Sequence, residues 1–416
     1  MSGNIVHVIK RDRSIVVFDA KKITEAIIKS MGDSPDELVA EKITRKVLRK
    51  LKSWENDTPH VDQIHILVEN SLMDAKLHDV ARSYITYRDA NKPDIFRKRV
   101  EVEPSEYPQF APYKEAVHKS FWTFKHLNYE SDIQDMKVTM TPEQVAVATK
   151  AMLAISQIEV AVKVFWGTIH TKMPKPEVAA VGFTFADSEV RHEDAYKELI
   201  KLLGFHGQFK SLADVPCMAK RIKYLDKVNA NMRATDNRDF FEAIILFSIF
   251  VENVSLFSQF LILMSYRKHL GKLKGISNAV EATSKEEIIH AEFGFELIKT
   301  IKKENPTWFD EDLIEYIKDI SQEAVEAEME VVDWIFETGD LDFMPKATVK
   351  EYIKYRTNNS LVRIGVDPIF ECDENVTDEV EWFEDELIAS KLIDFFHTDD
   401  TKYAQGNKSF TAKDLF

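Results

Sequence analysis

Glu189 with His192 and Glu287 with His290 repeat one pattern, Glu-x-x-His, inside apolar segments of helical period. Three residues along a helix return to the same face, so each motif aims a carboxylate and an imidazole at one point. Each motif follows an apolar stretch carrying a nearly isolated glutamate: Glu159 in AMLAISQIEVAVKVFW and Glu252 in AIILFSIFVENVSLFSQFLILM. An ionised carboxylate in such surroundings is costly unless a cation or a proton compensates it. Four carboxylates and two imidazoles from four helices can form a dinuclear metal cage. Ligation by oxygen and nitrogen alone suits iron or manganese better than zinc or copper.

The elements that must position these groups are two helix hairpins. Glu159 and Glu189 are 30 residues apart, and Glu252 and Glu287 are 35 apart, each the length of a helix, a turn and part of an antiparallel return. Breaks are expected at Met173 to Glu177, Gly204 to Gly207 and Gly271 to Gly275. A third match, Glu115 with His118, has no paired core glutamate and reads as a chance surface pair, since about one match is expected from composition. Tyr196 shares the face of Glu189 and His192; its spacing leaves a redox role and ordinary packing both open.

With 416 residues, 44% of them hydrophobic, the chain can bury a large core across two or three domains. Cys217 and Cys372 stand alone, so neither a disulfide framework nor a cysteine zinc site is expected, and a reducing cytoplasm fits. The first residues, MSGNIVHVIKRDR, have no signal-peptide pattern. Residues 1–100 carry 19 Lys/Arg against 15 Asp/Glu, whereas the rest carries 36 against 55. That acidic bulk would repel a phosphate backbone and argues against nucleic acid as a partner. Residues 243–264 are long and apolar enough to span a bilayer, with Glu252 the only charge. No second such stretch is read, so this one is taken as a central core helix and not as a membrane span.

The N-terminal part has a different pattern. Residues 6–18 predict a hairpin turning near Asp12 and Arg13, followed by helices at 21–31, 35–53, 61–76 and 78–91. Residues 1–92 form this module, 93–113 a Pro-containing linker, 114–396 the helical metal domain, and 397–416 a flexible tail.

The segments SEVRHEDAY and KEEIIH, each preceded by a lone core glutamate, resemble the metal-binding helices of the radical-generating (beta) subunit of class I ribonucleotide reductase. The resemblance covers about residues 105–416 and implies a ferritin-like di-metal helical bundle. It places Glu159, Glu189 and His192 on one metal, and Glu252, Glu287 and His290 on the other. It makes Tyr196 the counterpart of the radical tyrosine and Trp122, in KSFWTFKHLNYESD, the start of an electron route. Glu286 then links the metal-bound histidine to that tryptophan, and Tyr403 relays to the partner. Glu159 and Glu286 stand where many members have Asp, which bears on metal spacing and on whether the oxidising equivalent resides on tyrosine or on the metals.

Residues 1–92 resemble the ATP-cone, a small α/β module, through VIKRDR, VVFDAKKITEAI, VDQIHILVENSL and VARSYITYRD. The resemblance assigns Lys10, Arg11 and Lys22 to nucleotide phosphates, with His65 and Arg88 as further contacts; Arg13 stands where the cone usually has Gly. Lys as a point charge and Arg as a fork both suit triphosphate oxygens. Together the resemblances imply a mainly α protein acting with a large catalytic subunit through its tail. A homodimer is expected, with ATP and dATP as allosteric effectors and a tetramer in dATP. Two separated cysteines do not supply the three thiols of the catalytic half, and no GxxxxGK[ST] loop is present. The competing expectation is a di-metal oxidase acting on its own substrate.

Overall fold

The computed structural model describes residues 5–10, 15–32, 34–54, 58–90, 93–231 and 236–388. They fall into two units: Met1–Asp94 with Glu101–Pro108, and Ile95–Val100 with Gln109 onward. The stretch read as a linker is thus parted between them.

In the first unit, β1 (His7–Ile9) pairs antiparallel with β2 (Ile15–Val17), His7 opposite Val17. Four helices follow: α1 (Lys21–Ser30), α2 (Glu37–Leu51), α3 (Val61–Asp74) and α4 (His78–Ala90). Each begins and ends within two residues of its expected bounds. Ile23, Ile27, Ile43, Val47, Val68, Leu72 and Tyr84 fill the space between hairpin and helices. Asp36 caps α2 by accepting from Val39 N, which satisfies one of the amides that a helix start leaves without a partner.

The second unit is helical: α5 (Ala111–Lys119), α6 (Glu130–Gln134), α7 (Pro142–Thr168), α8 (Pro176–Leu203), α9 (His206–Lys210), α10 (Pro216–Asn231) and α11 (Asn237–Leu246). A π-helical segment, Phe247–Ser255, leads into α12 (Phe257–Leu270). Then come α13 (Lys274–Glu304), α14 (Glu311–Ile335), α15 (Lys346–Ile364), α16 (Glu374–Glu379) and α17 (Glu381–Ile388). α7 packs along α8, and the π segment and α12 pack along α13. The expected breaks fall between α7 and α8, after α8 and after α12. Thr141 and Gln144 close a capping box over α7, and Pro142 occupies its first turn, where its missing N–H costs nothing. The start of α13 is capped from outside: buried Asp132 accepts from Gly275 N at 3.1 Å and Ile276 N at 3.0 Å.

Two expectations need correction. Residues 243–264 do not form one α-helix, because the i→i+5 π segment interrupts it. A second membrane-length apolar helix does exist, Pro142–Thr171, whose apolar run is interrupted in the sequence by Lys150, Glu159 and Lys163. Both long helices are mostly buried: 94% of the most apolar window of Asn237–Leu270 and 75% of that of Pro142–Thr171 lie inside the structure.

Candidate metal centre

Glu159 comes from α7, Glu189 and His192 from α8, Glu252 from the π segment, and Glu287 and His290 from α13. All six side chains are fully buried, and they converge. His192 Nδ1 lies 3.0 Å from Glu287 Oε1, 3.2 Å from Glu189 Oε2 and 3.8 Å from Glu159 Oε2. His290 Nδ1 lies 2.8 Å from Glu189 Oε1, 3.1 Å from Glu287 Oε2 and 3.7 Å from Glu252 Oε2. Two ligand groups result, and Glu189 and Glu287 belong to both. Glu159 with His192 and Glu252 with His290 mark the two ends.

The donor set fits a pair of cations. Among the described residues, both oxygens of Glu159, Oε1 of Glu189, Oε2 of Glu252 and Oε1 of Glu287 accept no hydrogen bond, although all are buried. Such atoms are costly unless something positive faces them. Without metal, burial pushes the carboxyls of Glu159 and Glu252 well above the usual range, and neighbouring carboxylates push the same way. Burial alone would lower the imidazoles, but the carboxylates around them prevail, so His192 and His290 are held well above the ordinary histidine range. Burial likewise acts to raise Glu287, but the two histidines hold it below the usual range. This buried carboxylate and histidine cluster is consistent with a dinuclear metal site.

A ring of supporting groups orients the candidate ligands. His192 Nε2 lies 2.8 Å from Glu286 Oε2, and Glu286 Oε1 accepts from Arg191 Nη1 at 3.1 Å and Ser120 Oγ at 3.0 Å. Burial acts to raise the Glu286 carboxyl, but His192 and Arg191 outweigh it and hold it below the usual range. Arg191 Nη1 also donates to the main-chain oxygen of Trp122 at 3.1 Å. The Trp122 ring stacks on the His192 ring with centroids 5.9 Å apart, and its indole N–H has no hydrogen-bond partner among the described residues. Glu286 therefore reaches Trp122 through Arg191 and the backbone, not through the indole. His290 Nε2 lies 3.0 Å from Ser188 Oγ. Trp166 Nε1 donates to Glu252 Oε1 at 2.7 Å. Buried Tyr196 donates to Thr283 Oγ1 at 3.3 Å.

Sequence reasoning missed Trp166, Arg191, Ser188, Ser120 and Thr283. A signal existed for Trp166, which lies two turns after Glu159 on the same face of α7. Ser188 and Arg191 lay inside the SEVRHEDAY segment itself. Glu115 and His118 are both exposed on α5, as expected of a surface pair.

In the N-terminal unit, Lys10 is exposed at the end of β1 and Lys22 is exposed in the first turn of α1. His65 Nδ1 lies 2.8 Å from the Tyr84 hydroxyl, and Arg88 pairs with Glu69. Arg11 and Tyr403 lie outside the described residues.

A buried cluster of four carboxylates and two imidazoles between long helices is the arrangement of a helical protein able to hold two metal ions. The description "Ribonucleotide reductase, small chain" matches residues 99–377, and "ATP cone domain" matches residues 6–93. The chain belongs to the ribonucleotide reductase small-chain family and carries an ATP-cone domain at its N-terminal end. A small subunit of this enzyme implies a large catalytic subunit as its partner. Among its relatives, a probable ribonucleoside-diphosphate reductase small subunit of Invertebrate iridescent virus 3 is 25% identical over 330 residues, covering 75% of this chain and 86% of the relative. The ribonucleotide reductase R2 subunit from Clostridium botulinum has a similar fold, with TM-score 0.62 and 18% identity over 68% of this chain and 88% of that one. So does the dimanganese(II) NrdF of Streptococcus sanguinis, with TM-score 0.58 and 15% identity over 68% of this chain and all of that one.

Proposed function

We propose that this subunit generates and stores an oxidising equivalent at a dinuclear site and passes it to the catalytic subunit for deoxyribonucleotide synthesis in the cytoplasm. The observation that carries this reading is the sharing of Glu189 and Glu287 between two fully buried groups of carboxylates and imidazoles whose donor atoms converge. Glu159 and His192 would hold one ion, Glu252 and His290 the other, and Glu189 and Glu287 would serve both. Iron and manganese both suit these donors. A bound pair of such ions supplies one-electron oxidising capacity.

The chain's own residues do the rest. Glu286 and Ser188 fix the two imidazoles so that Nδ1 of each faces inward. The enclosing helices exclude water, which would otherwise quench an oxidised side chain. Trp122, stacked on His192, is the exit for the oxidising equivalent, and Tyr403 in the tail is the relay to the catalytic subunit. Tyr196 or the metals hold the equivalent in the resting state.

Lys10, Arg11 and Lys22, with His65 and Arg88, are assigned to ATP or dATP in the cone. We assign the chain to a homodimer that dATP converts to a tetramer through the cones. Size-exclusion profiles in ATP and dATP test this, and identical profiles at saturating dATP would refute it.

Metal analysis with electron paramagnetic resonance, before and after the reduced protein meets oxygen, tests the central reading. Two ions per chain and an oxygen-dependent signal are expected. Tyr196→Phe then separates the two storage sites: loss of the organic-radical signal and of activity with an intact metal pair assigns it to the phenol, and retention assigns it to the metals. Deleting residues 404–416 should abolish ribonucleotide reduction and spare metal oxidation, whereas an oxidase with its own substrate would be indifferent.

A further inference from the structure

The π segment gives Glu252 an unusual seat. An i→i+5 turn widens the helix and disturbs its regular bonding. Two buried arginines donate to main-chain oxygens of this segment beside Glu252: Arg356 Nε to Asn253 O at 2.6 Å and Arg221 Nη2 to Ser255 O at 3.0 Å. Arg221 spans to α7 through Ala154 O and is balanced by buried Glu328 of α14 at 3.0 Å. Its partners are all internal to the core.

Arg356 is connected differently. Its Nη2 donates to Asn253 Oδ1 at 2.5 Å, and Asn253 Nδ2 donates to Ser360 Oγ at 2.6 Å, so the residue next to Glu252 is gripped at its backbone and at both side-chain ends. The guanidinium lies over the Phe257 ring, 3.7 Å from its centroid. Its Nη1 donates to Glu384 Oε1 at 2.7 Å, and Tyr352 donates its hydroxyl to the same oxygen at 2.5 Å. Glu384 belongs to α17, the last described helix before the C-terminal tail.

We propose that Arg356 is a positioning residue for Glu252 and that its ion pair with Glu384 makes the Glu252 end of the cage responsive to the placement of the C-terminal helix. The inference rests on the reading of Glu252 as a metal ligand. A guanidinium holding two atoms of Asn253 fixes the backbone from which Glu252 projects, while Trp166 fixes the carboxylate itself. Removing the counter-charge at Glu384 leaves a buried cation to find new partners, and those nearest are on the π segment. Displacement of α17 is thereby transmitted to one of the two ion seats and not to the seat of Glu159 and His192.

The test uses the full chain titrated with Mn(II), following free and bound metal by electron paramagnetic resonance. Arg356→Met should weaken one of the two ions by about 10- to 100-fold, the usual effect of removing an outer support, and alter the signal of the bound pair. Arg356→Lys should recover part of the affinity, and Glu384→Gln should shift the same ion in the same direction by a smaller factor. Should Arg356→Met fail to fold, Glu384→Gln on a partly exposed helix decides the matter. Wild-type affinities and signal in Arg356→Met and Glu384→Gln, alongside loss of one ion in Glu252→Ala, would overturn the proposal and leave the ligand reading standing. Two tightly bound ions in Glu252→Ala would overturn both.

Discussion

Oε2 of Glu286 lies 2.8 Å from Nε2 of His192 while Arg191 grips the other oxygen of the same carboxylate at 3.1 Å. An anion pinned at both ends sets the ring's orientation and makes its inward nitrogen a stronger donor. Glu286→Gln keeps the shape and removes the charge. It should weaken metal binding by about tenfold or more, with the loss confined to the ion beside His192. Equilibrium dialysis against manganese measures it, and unchanged binding of both ions would deny Glu286 this role.

His192→Ala and His290→Ala remove the inward imidazoles outright. Each should lower metal content from two ions toward one or none per chain and abolish the oxygen-dependent signal. The helices should persist in circular dichroism, since both histidines sit inside long segments packed by many other side chains. Full metal content in both variants would remove the basis for the cage.

Gly294 allows α13 to lie close against the π segment. A Cβ there would sit 2.2 Å from Ser248 Oγ and 2.5 Å from Ser248 Cβ. Gly294→Ala would gain about 1 kcal/mol of helix propensity. It would lose roughly 1–3 kcal/mol by overpacking. The clash involves a β-carbon, which cannot swing away, so the steric loss should prevail and Tm should fall. Ser248→Gly in the same chain should return part of the loss, whereas a rise in Tm for Gly294→Ala alone would contradict the packing described.

A pH dependence arises at Arg267, which ties Glu281 of α13 and Glu386 of α17 to the end of α12, at 2.8 and 2.5 Å. Burial alone would raise the Glu281 carboxyl, but Lys285 and Arg267 outweigh it and hold it below the usual range. A depressed carboxylate contributes stability that is present above its unfolded value, about 4.3, and is lost as pH falls through the folded one. Glu281→Gln should therefore lower Tm at pH 6 to 7, with the gap to the native chain closing below pH 4. A gap that stays constant over that range would assign the loss to something other than charge.

Much of this architecture was legible in local chemistry. The helix ends at Gly204 and Gly271 and the start at Pro176 follow from residues that cannot continue or that favour opening a helix. The clustered carboxylates and imidazoles were legible from i, i+3 spacing and from carboxylates too isolated in apolar runs to be ordinary. The π segment did not follow. In a run apolar on every side, a shift from i→i+4 to i→i+5 leaves no mark on the hydrophobic pattern, because every face is buried either way. Arg221 and Arg356 were invisible for a related reason: both donate to main-chain oxygens of the π segment, and any residue could supply such oxygens. The sharing of Glu189 and Glu287 needed the third dimension, since sequence gives each motif one helix and no depth.

His192 is backed by an anion and His290 by a neutral hydroxyl. The imidazole leaning on Glu286 is the more basic donor, so an ion bound beside it would be seated more firmly and would be easier to strip of an electron than its neighbour. A pocket assembled from near-duplicate motifs thus ends up with two unlike halves, and a pair of identical ions entering it would cease to be twins.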